Sequence, residues 1–194
     1  MVKIGIFVSG TGTNARNIIN YFARSEAARV AVVVCDRAKA PAHELLKGTG
    51  VPVVDISGAE LASPERMHAL LGRYEVGFIA LAGFLAFVPD YLTEEYRGRM
   101  LNIHPSLLPR HGGKGMWGLR VHRDVIESGE RESGVTIHYV TGLYDAGEAV
   151  LQVKCPVLKD DTPESLAARV HELEYEYYPR AIEEVIKNNI NGRK

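Results

Sequence analysis

The segment KIGIFVSGTGTNARNIINYFARS, Lys3 to Ser25, decides the fold of this chain. Its apolar beginning, KIGIFVS, predicts a buried strand. NARNIINYFARS predicts a helix that places Ile18, Ile19 and Phe22 on one side. The glycines between them allow a tight turn from strand to helix. A strand, a glycine-rich turn and a helix in this order form the opening unit of an α/β fold.

The same alternation continues through the first half of the chain. Buried strands are predicted at VAVVVC, VPVVDI, VGFIALAG and RMLNIH, and helices at PAHELLKG, SPERMHALLGRY and PDYLTEEYRG. Ser63 is expected to cap the third helix, with Pro64 at its first position. Strands that are apolar throughout, separated by helices, indicate a parallel sheet that is covered on both faces.

The pattern changes in the second half, after the helix GLRVHRDVIESG. GVTIHYV alternates apolar and polar residues and AVLQVKCPV follows it, which predicts a late antiparallel addition to the sheet. Thr162 is expected to cap a long final helix, which Pro179 should kink or split. We therefore predict a single-domain Rossmann-like α/β fold over residues 1–194, with a mostly parallel central sheet and helices on both faces.

Composition excludes several classes of protein. The 194 residues are 46% hydrophobic and 24% charged with a net charge of −1, which gives no electrostatic footprint for nucleic acid or an anionic membrane. Apolar runs are too short for a signal peptide or a membrane span. Cys35 and Cys155 have no metal-ligand spacing and are expected to be buried free thiols. We expect a soluble cytoplasmic protein that binds neither nucleic acid nor membrane.

The glycine-rich turn SGTGTNA has two functional interpretations. Its spacing is G-x-G-x-x-A, and Asp36 closes the next strand where an acidic residue could meet a ribose, which together suit a dinucleotide. Backbone N–H groups at a helix N-terminus also bind a simple phosphate, and the side chains of Thr11, Thr13 and Asn14 suit a terminal phosphomonoester. A turn without any ligand is the third reading.

A second motif, LNIHPSLLP, places Asn102 and His104 on one face at the end of a strand. Asp145, in the turn YDAGE between the two late strands, could lie beside them. A carboxylate near an imidazole favours the imidazolium form, and an amide and an imidazolium can both stabilise an oxygen that becomes negative. Ser106 has no obvious base, so the set suits acyl transfer without a covalent intermediate.

Six segments, SGTGTN, LAGFLAFV, LNIHPSLLP, GVTIHYV, YDAGEAVLQ and HELEYEYYP, occur in an order and at spacings that resemble the phosphoribosylglycinamide formyltransferase family. The resemblance runs from residue 2 to about residue 186. N-x-H-x-S-x-L-P marks the wider formyltransferase superfamily, and Pro105 after the histidine resembles the purine enzyme. The resemblance implies transfer of a formyl group from 10-formyltetrahydrofolate to the amine of glycinamide ribonucleotide, in purine biosynthesis.

The resemblance also implies roles for individual residues. Asn102 and His104 would act on the formyl oxygen, and Asp145 would raise the pKa of the histidine and assist proton transfer. Glu174 would bind the ribose hydroxyls. Residues about 1–100 would form the phosphate-binding half and about 101–194 the folate-binding and catalytic half. The phosphate would be held by Gly10, Thr11, Gly12, Thr13 and Asn14, and the folate by Phe84, Leu85, Ala86, Phe87, Val88, Asn102, Val140, Thr141, Gly142, Leu143 and Tyr144.

The sequence departs from this family in three places. Ala86 stands where many members have Arg, and Arg120 replaces the first histidine of a usual pair whose second member is His122. The connection RHGGKGMWG is several residues longer than the commonest form. Its four glycines and its apolar Met116 and Trp117 predict a lid, Gly112 to Gly118, that closes over bound substrates.

Three other functions are also compatible with parts of the sequence. A sugar-nucleotide N-formyltransferase shares the Asn-x-His core, an NAD-dependent reductase would use the glycine loop, and a non-catalytic sensor would need no triad. Formyltransferases of initiator tRNA carry an additional RNA-binding domain, and formyltetrahydrofolate hydrolases carry a regulatory domain; neither is expected here. We predict no metal site, small-molecule substrates, and a monomer or homodimer.

Overall fold

The computed structural model describes residues 1–191 of the chain. Residues 192–194, the end of the predicted domain, lie outside the described residues. The elements in chain order are β1 Val2–Val8, α1 Thr13–Phe22, β2 Ala28–Cys35, α2 Ala42–Leu45, β3 Val53–Asp55, α3 Gly58–Leu61, α4 Pro64–Arg73, β4 Phe78–Leu81, α5 Asp90–Glu95, β5 Met100–His104, α6 Leu119–Glu127, β6 Glu132–Tyr139, β7 Ala149–Pro156 and α7 Pro163–Asn191.

Seven strands form one sheet in the order β3-β2-β1-β4-β5-β6-β7. Strands β1 to β5 pair parallel with one another. Strand β6 pairs antiparallel with β5, and β7 pairs antiparallel with β6. The predicted fold class, a mostly parallel sheet with a late antiparallel addition, is therefore confirmed. The glycine turn after β1 and the polar end of β5 lie at the same edge of the sheet, where the parallel strands end.

Two apolar layers cover the two faces of the sheet. On one face, Ile4 and Ile6 of β1 pack with residues of α1 and α7. On the other, Phe7 packs with Met67 of α4 and Leu92 of α5. Successive residues of β1 thus enter opposite cores, which explains why its sequence is apolar throughout and does not alternate.

The helix ends agree with the predicted caps. The Ser63 hydroxyl accepts a hydrogen bond from the Arg66 N–H, with Pro64 at the first position of α4, and the Thr162 hydroxyl accepts from the Ser165 N–H before α7. One short helix, α3, has no counterpart in the prediction. It is fixed by a capping box in which Ser57 and Glu60 satisfy each other's backbone N–H groups.

The expected split at Pro179 is wrong, because α7 runs unbroken from Pro163 to Asn191. Proline cannot donate to the carbonyl of Tyr175 four residues earlier. The side chain of Asn17 on α1 donates to that oxygen instead, at 2.8 Å. Tyr178, fully buried, also fixes the helix by donating to the Leu81 and Leu101 carbonyls of β4 and β5.

Two simpler expectations have structural counterparts. Cys35 and Cys155 are both buried and free. Within residues 1–191, none of the helices is both long enough and apolar enough to cross a membrane.

Candidate active site

The end of β5 and the turn after β6 bring Asn102, His104 and Asp145 together. Asp145 lies in the turn between β6 and β7 with a left-handed backbone, φ 49°. Its Oδ1 is 3.5 Å from the Asn102 Nδ2, and its Oδ2 is 3.5 Å from the His104 Nδ1. Oδ2 also accepts a hydrogen bond from the Gly113 N–H at 2.9 Å. One carboxylate therefore contacts both polar side chains of the strand end.

The contacts of His104 determine where its proton lies. Its Nε2 is 2.8 Å from the His111 carbonyl oxygen, which can only accept, so Nε2 carries the hydrogen. In the neutral ring Nδ1 is then a lone pair that faces Asp145. A proton that arrives at Nδ1 would form an imidazolium beside a carboxylate, which favours the charged ring.

The net pKa shift of His104 is opposite to the sequence prediction. Burial lowers the pKa of His104 below its ordinary value, although the Asp145 charge and the His111 carbonyl both act to raise it. Asp145 thus acts in the expected direction, but desolvation of a ring that is 4% exposed is larger. The resting ring is neutral near pH 7, and an imidazolium at rest was the wrong expectation.

Asp145 itself stays ionised. Burial raises its pKa, but the contacts with His138, with His104 and with the Gly113 N–H together outweigh burial, and the pKa of Asp145 lies below its ordinary value. A negative charge is therefore present beside His104 at neutral pH.

The glycine turn begins α1 with a backbone that only glycine adopts easily. Gly12 has φ 78°, and a Cβ on it would lie 2.8 Å from the Ala42 Cβ of α2. The Gly10 carbonyl accepts from the Ala42 N–H at 3.2 Å, so α2 fixes the turn from behind. Thr11 and Thr13 place their hydroxyl oxygens 3.5 Å apart at the mouth of the turn.

A buried network connects the start of α1 to α7. The Asn14 Nδ2 donates to the Glu174 Oε2 at 2.8 Å, and the His171 Nδ1 contacts the same oxygen at 2.5 Å. His171 Nε2 is 3.1 Å from the Thr13 hydroxyl. Because the hydrogen bond to Glu174 outweighs burial, the pKa of His171 is raised above its ordinary value. A charged His171 donates from both nitrogens, which leaves the Thr13 hydrogen free to point at an anion.

Beside Asn102 lies a cleft that is open to solvent. Phe87 and Tyr144 stand at its mouth with ring centroids 5.0 Å apart, and both are more than 40% exposed. The two segments predicted to form a pterin slot are thus brought together. The lining residues are Leu81, Phe84, Ala86, Phe87, Val88, Asn102, His138, Val140, Thr141, Leu143, Tyr144 and Asp145.

Leu85 and Gly142 were predicted with this group but do not line the cleft. The Leu85 N–H donates to the Ser9 hydroxyl, which joins this segment to the glycine turn. At Gly142 a Cβ would lie 2.7 Å from the Asp90 carboxylate, so this position packs against α5.

The glycine-rich turn, the set Asn102, His104 and Asp145, and the cleft beside Asn102 thus share one edge of the sheet. A family model described as formyl transferase matches residues 2–182. The chain belongs to the formyl transferase family. The chloroplastic phosphoribosylglycinamide formyltransferase of Arabidopsis thaliana is 36% identical over 99% of this chain and 68% of the relative. Its namesake in Haemophilus influenzae is 34% identical over 94% of this chain and 86% of the relative. The chain spans 63% of a further chloroplastic relative, from Vigna unguiculata.

Solved structures agree with the family assignment. Glycinamide ribonucleotide transformylase 1 of Symbiobacterium toebii superposes with a TM-score of 0.86 at 35% identity, covering 97% of this chain and 89% of its own. The phosphoribosylglycinamide formyltransferase of Anaplasma phagocytophilum also gives 0.86, at 28% identity over 96% and 88% of the two chains. The fold of this formyl transferase is therefore that of glycinamide ribonucleotide transformylases.

Two histidines of this formyl transferase site were missed by the sequence reasoning. His138 is the register partner of Asn102 in the antiparallel pair β5–β6. Its Nδ1 donates to the Tyr139 carbonyl, and its Nε2 lies 3.2 Å from the Asn102 Nδ2 and 3.6 Å from the Asp145 Oδ1. The alternation of apolar and polar residues in GVTIHYV could have predicted which face of the sheet His138 lies on. That His138 lies opposite Asn102 depends on the register between β5 and β6, which the sequence does not reveal.

His111 is the second missed residue, and it acts through its backbone. It has φ 57°, which is uncommon for a residue with a side chain. Its ring holds that conformation, with Nδ1 2.5 Å from Asp124 Oδ2 and Nε2 3.5 Å from Glu130 Oε1. The first residues of the long connection are thus fixed to α6, and they carry the carbonyl that binds His104.

The three places where the sequence departs from the resembled family lie in different parts of the structure. Ala86 lines the cleft, so the wall there is a methyl group. Arg120 is exposed, whereas His122 is buried and its Nδ1 has no hydrogen-bond partner among the described residues. Trp117 is 55% exposed, so in the free chain it is not docked on the body of the protein.

Proposed function

We infer that this formyl transferase moves the formyl group of a formyl-folate to the amine of glycinamide ribonucleotide, in purine biosynthesis. The observation that carries the inference is the shared carboxylate of Asp145, which contacts Asn102 and His104 at the edge of the sheet that also holds the glycine-rich turn and the cleft. The relatives in this family are named for the same reaction.

The phosphate turn and α7 are proposed to bind the ribonucleotide. Backbone N–H groups from Gly10 to Asn14 at the start of α1 would bind the phosphate, with the Thr13 hydroxyl oriented by charged His171. Both contacts to Glu174 fall on Oε2, which leaves Oε1 to accept from a ligand. The buried Asn14 Oδ1 also accepts nothing from the described residues. Two such acceptors suit the hydroxyl groups of a ribose.

The cleft is proposed to bind the pterin of 10-formyltetrahydrofolate. The cleft combines apolar side chains with a few polar groups, as small-molecule sites do. Phe84 and Val88 supply apolar walls, and the exposed rings of Phe87 and Tyr144 gain by covering a flat ligand. In this assignment residues about 1–100 bind the phosphate and about 101–194 carry the catalytic residues and most of the folate site, while Phe84 to Val88 of the first half complete the cleft and Glu174 of the second completes the ribonucleotide site.

The chemistry is proposed as direct acyl transfer. The amine attacks the formyl carbon, and the negative charge that develops on the formyl oxygen is stabilised by the Asn102 amide N–H. Neutral His104 accepts the amine proton at Nδ1, and Asp145 stabilises the imidazolium that forms. The tetrahedral intermediate then collapses: the bond from carbon to the folate nitrogen breaks, and His104 returns the proton to that nitrogen.

The proposal also covers the formyl donor, the metal requirement, the oligomeric state and the cellular compartment. The donor is 10-formyltetrahydrofolate, the chemistry needs no metal ion, the enzyme is a monomer or homodimer, and it works in the cytoplasm. The proposal that no metal takes part in the chemistry rests on the acid–base set itself, which supplies both the oxyanion donor and the proton acceptor.

An acceptor screen tests the proposal. Purified protein with 10-formyltetrahydrofolate is offered glycinamide ribonucleotide, nucleoside-diphosphate amino sugars, or water alone, in EDTA and without nicotinamide. We expect formylation of the ribonucleotide only. Formylation of amino sugars but not of the ribonucleotide would identify a sugar-nucleotide enzyme, and reduction that depends on added NADH would identify a reductase. Either result contradicts the proposal.

A further inference from the structure

Three potential metal ligands meet at the sheet edge on the far side of β1 from the catalytic strand. Cys35 ends β2 and Asp55 ends β3, and the two are direct register partners in this parallel pair. Register partners on adjacent parallel strands point to the same face, with the strands about 4.8 Å apart. The backbone therefore places the thiol and the carboxylate side by side.

His43 of α2 adds the third group. Its Nε2 lies 3.0 Å from the Asp55 Oδ1, and one donor atom from each of the three residues lies within 4.8 Å of the others. Solvent does not reach the His43 Nε2, and the described residues offer it no properly aligned hydrogen bond. This nitrogen, shielded from solvent on a side chain that is 30% exposed, lies at ion-pair distance from the carboxylate but makes no aligned hydrogen bond to it, so its lone pair can face an ion.

The donor set defines the chemical class of that ligand. Thiolate, imidazole and carboxylate together are the ligands of Zn²⁺ and of similar first-row ions, whereas Ca²⁺ and Mg²⁺ select oxygen alone. Cys35 is fully buried, but the Asp55 side chain is 47% exposed, so an ion has a path from solvent. Three protein ligands leave the fourth tetrahedral position to water.

We propose that Cys35, His43 and Asp55 bind one divalent transition-metal ion of the zinc class. Binding requires the Cys35 thiol to give up both its proton and its present contact, a hydrogen bond to the Arg37 carbonyl at 3.3 Å. Burial raises the pKa of the Cys35 thiol, so the proton is present at neutral pH and is released when the ion binds.

The ion would clamp three elements. Strand β3 has three residues and is the edge strand of the sheet, and α2 has four residues. Since β2 and β5 are three strand spacings apart, roughly 14 Å, the ion takes no part in the chemistry proposed at Asn102. The site is independent of the proposed function, and its test does not use activity.

The experiment titrates Co²⁺ into the reduced, full-length protein and follows its absorption. We expect one ion per chain, with a thiolate-to-cobalt charge-transfer band that Zn²⁺ removes by displacement. The band should be lost in Cys35→Ser and kept in Cys155→Ser, which removes the other buried thiol. His43→Gln and Asp55→Asn change more exposed positions and keep the test valid if Cys35→Ser does not fold. Each should weaken binding at least about tenfold, since even outer-shell changes cost that much.

The alternative is an ordinary ion pair between His43 and Asp55 beside an inert thiol. It predicts no charge-transfer band at saturating Co²⁺, and that result overturns the proposal. Equal binding by wild type, His43→Gln and Asp55→Asn overturns it too, as does a band lost in Cys155→Ser but kept in Cys35→Ser. A zinc-dependent rise in Tm that is seen in wild type and Cys155→Ser but absent in His43→Gln supports the clamp.

Discussion

Replacement of Asp145 by asparagine removes one charge and little else. The backbone there is left-handed, φ 49°, a conformation that asparagine tolerates, and an amide oxygen can still accept from the Gly113 N–H. The carboxylate lies 3.5 Å from the His104 Nδ1. At that distance an imidazolium–carboxylate pair is worth about 5 kcal/mol at an effective dielectric constant of about 20.

That energy sets the expected loss of activity. The Asp145 side chain is 12% exposed, so solvent screens part of the interaction. Between half and all of the 5 kcal/mol corresponds to a fall in kcat of about 10²- to 10⁴-fold, because each 1.36 kcal/mol is about tenfold. Formyl transfer in Asp145→Asn is to be compared with Glu148→Gln, which removes an equal charge from an exposed position in the same turn. The control should keep its activity.

The pH dependence gives the sharper test. His104 must be unprotonated to accept the amine proton, so kcat/KM falls as pH drops through the pKa of His104. Burial lowers that pKa and Asp145 opposes it. Without the carboxylate the pKa falls further, and the acidic limb of the profile should move to lower pH. A limb that moves upward or stays in place refutes the role given to Asp145.

Three further outcomes are expected. Asn102→Ala and His104→Ala should each lower kcat by about 10²- to 10³-fold or more with little change in KM, since each group acts mainly in the transition state; a rise in KM alone would contradict this. Because the pKa of His171 is raised, its charge beside the phosphate turn persists to higher pH, and the KM for the ribonucleotide should rise as pH increases through that pKa. His171→Gln should raise KM about tenfold or more at low pH and abolish this dependence, whereas exposed His68→Gln should do neither. Trp117, the one tryptophan, should show a blue shift and less acrylamide quenching when ribonucleotide and an unreactive folate analogue are both bound; identical quenching in the free and doubly bound states would rule out a lid.

Most of the fold could be predicted because each signal is local. Continuous apolar strands, Ser63 before Pro64, and the alternation of the late strands each depend on neighbouring residues. The unbroken course of α7 past Pro179 could not be predicted, because its freed carbonyl is satisfied by Asn17 from a different helix. Short α3 was missed since its cap lies in a segment without apolar periodicity.

Site residues that lie on one strand could be predicted from the sequence. Contacts between residues of different elements were harder to predict. Asn102 and His104 follow from strand geometry. The contact of Asn102 with His138 depends on the register of β5 against β6, and the meeting of Cys35 with His43 depends on tertiary packing. The neutral state of His104 is set by burial, which is a property of the whole fold and overcomes the effect of Asp145.

Direct transfer of an isotopically labelled formyl group is the measurement that tests the central claim most directly. The protein is incubated in EDTA with 10-formyltetrahydrofolate that carries the label in its formyl carbon, together with glycinamide ribonucleotide. Products and intact protein are then followed by mass spectrometry. We expect one label in each formylated ribonucleotide, an equal amount of tetrahydrofolate, and a protein mass that stays unchanged through turnover. Label released only as formate, or retained on the protein, would contradict direct acyl transfer by Asn102, His104 and Asp145.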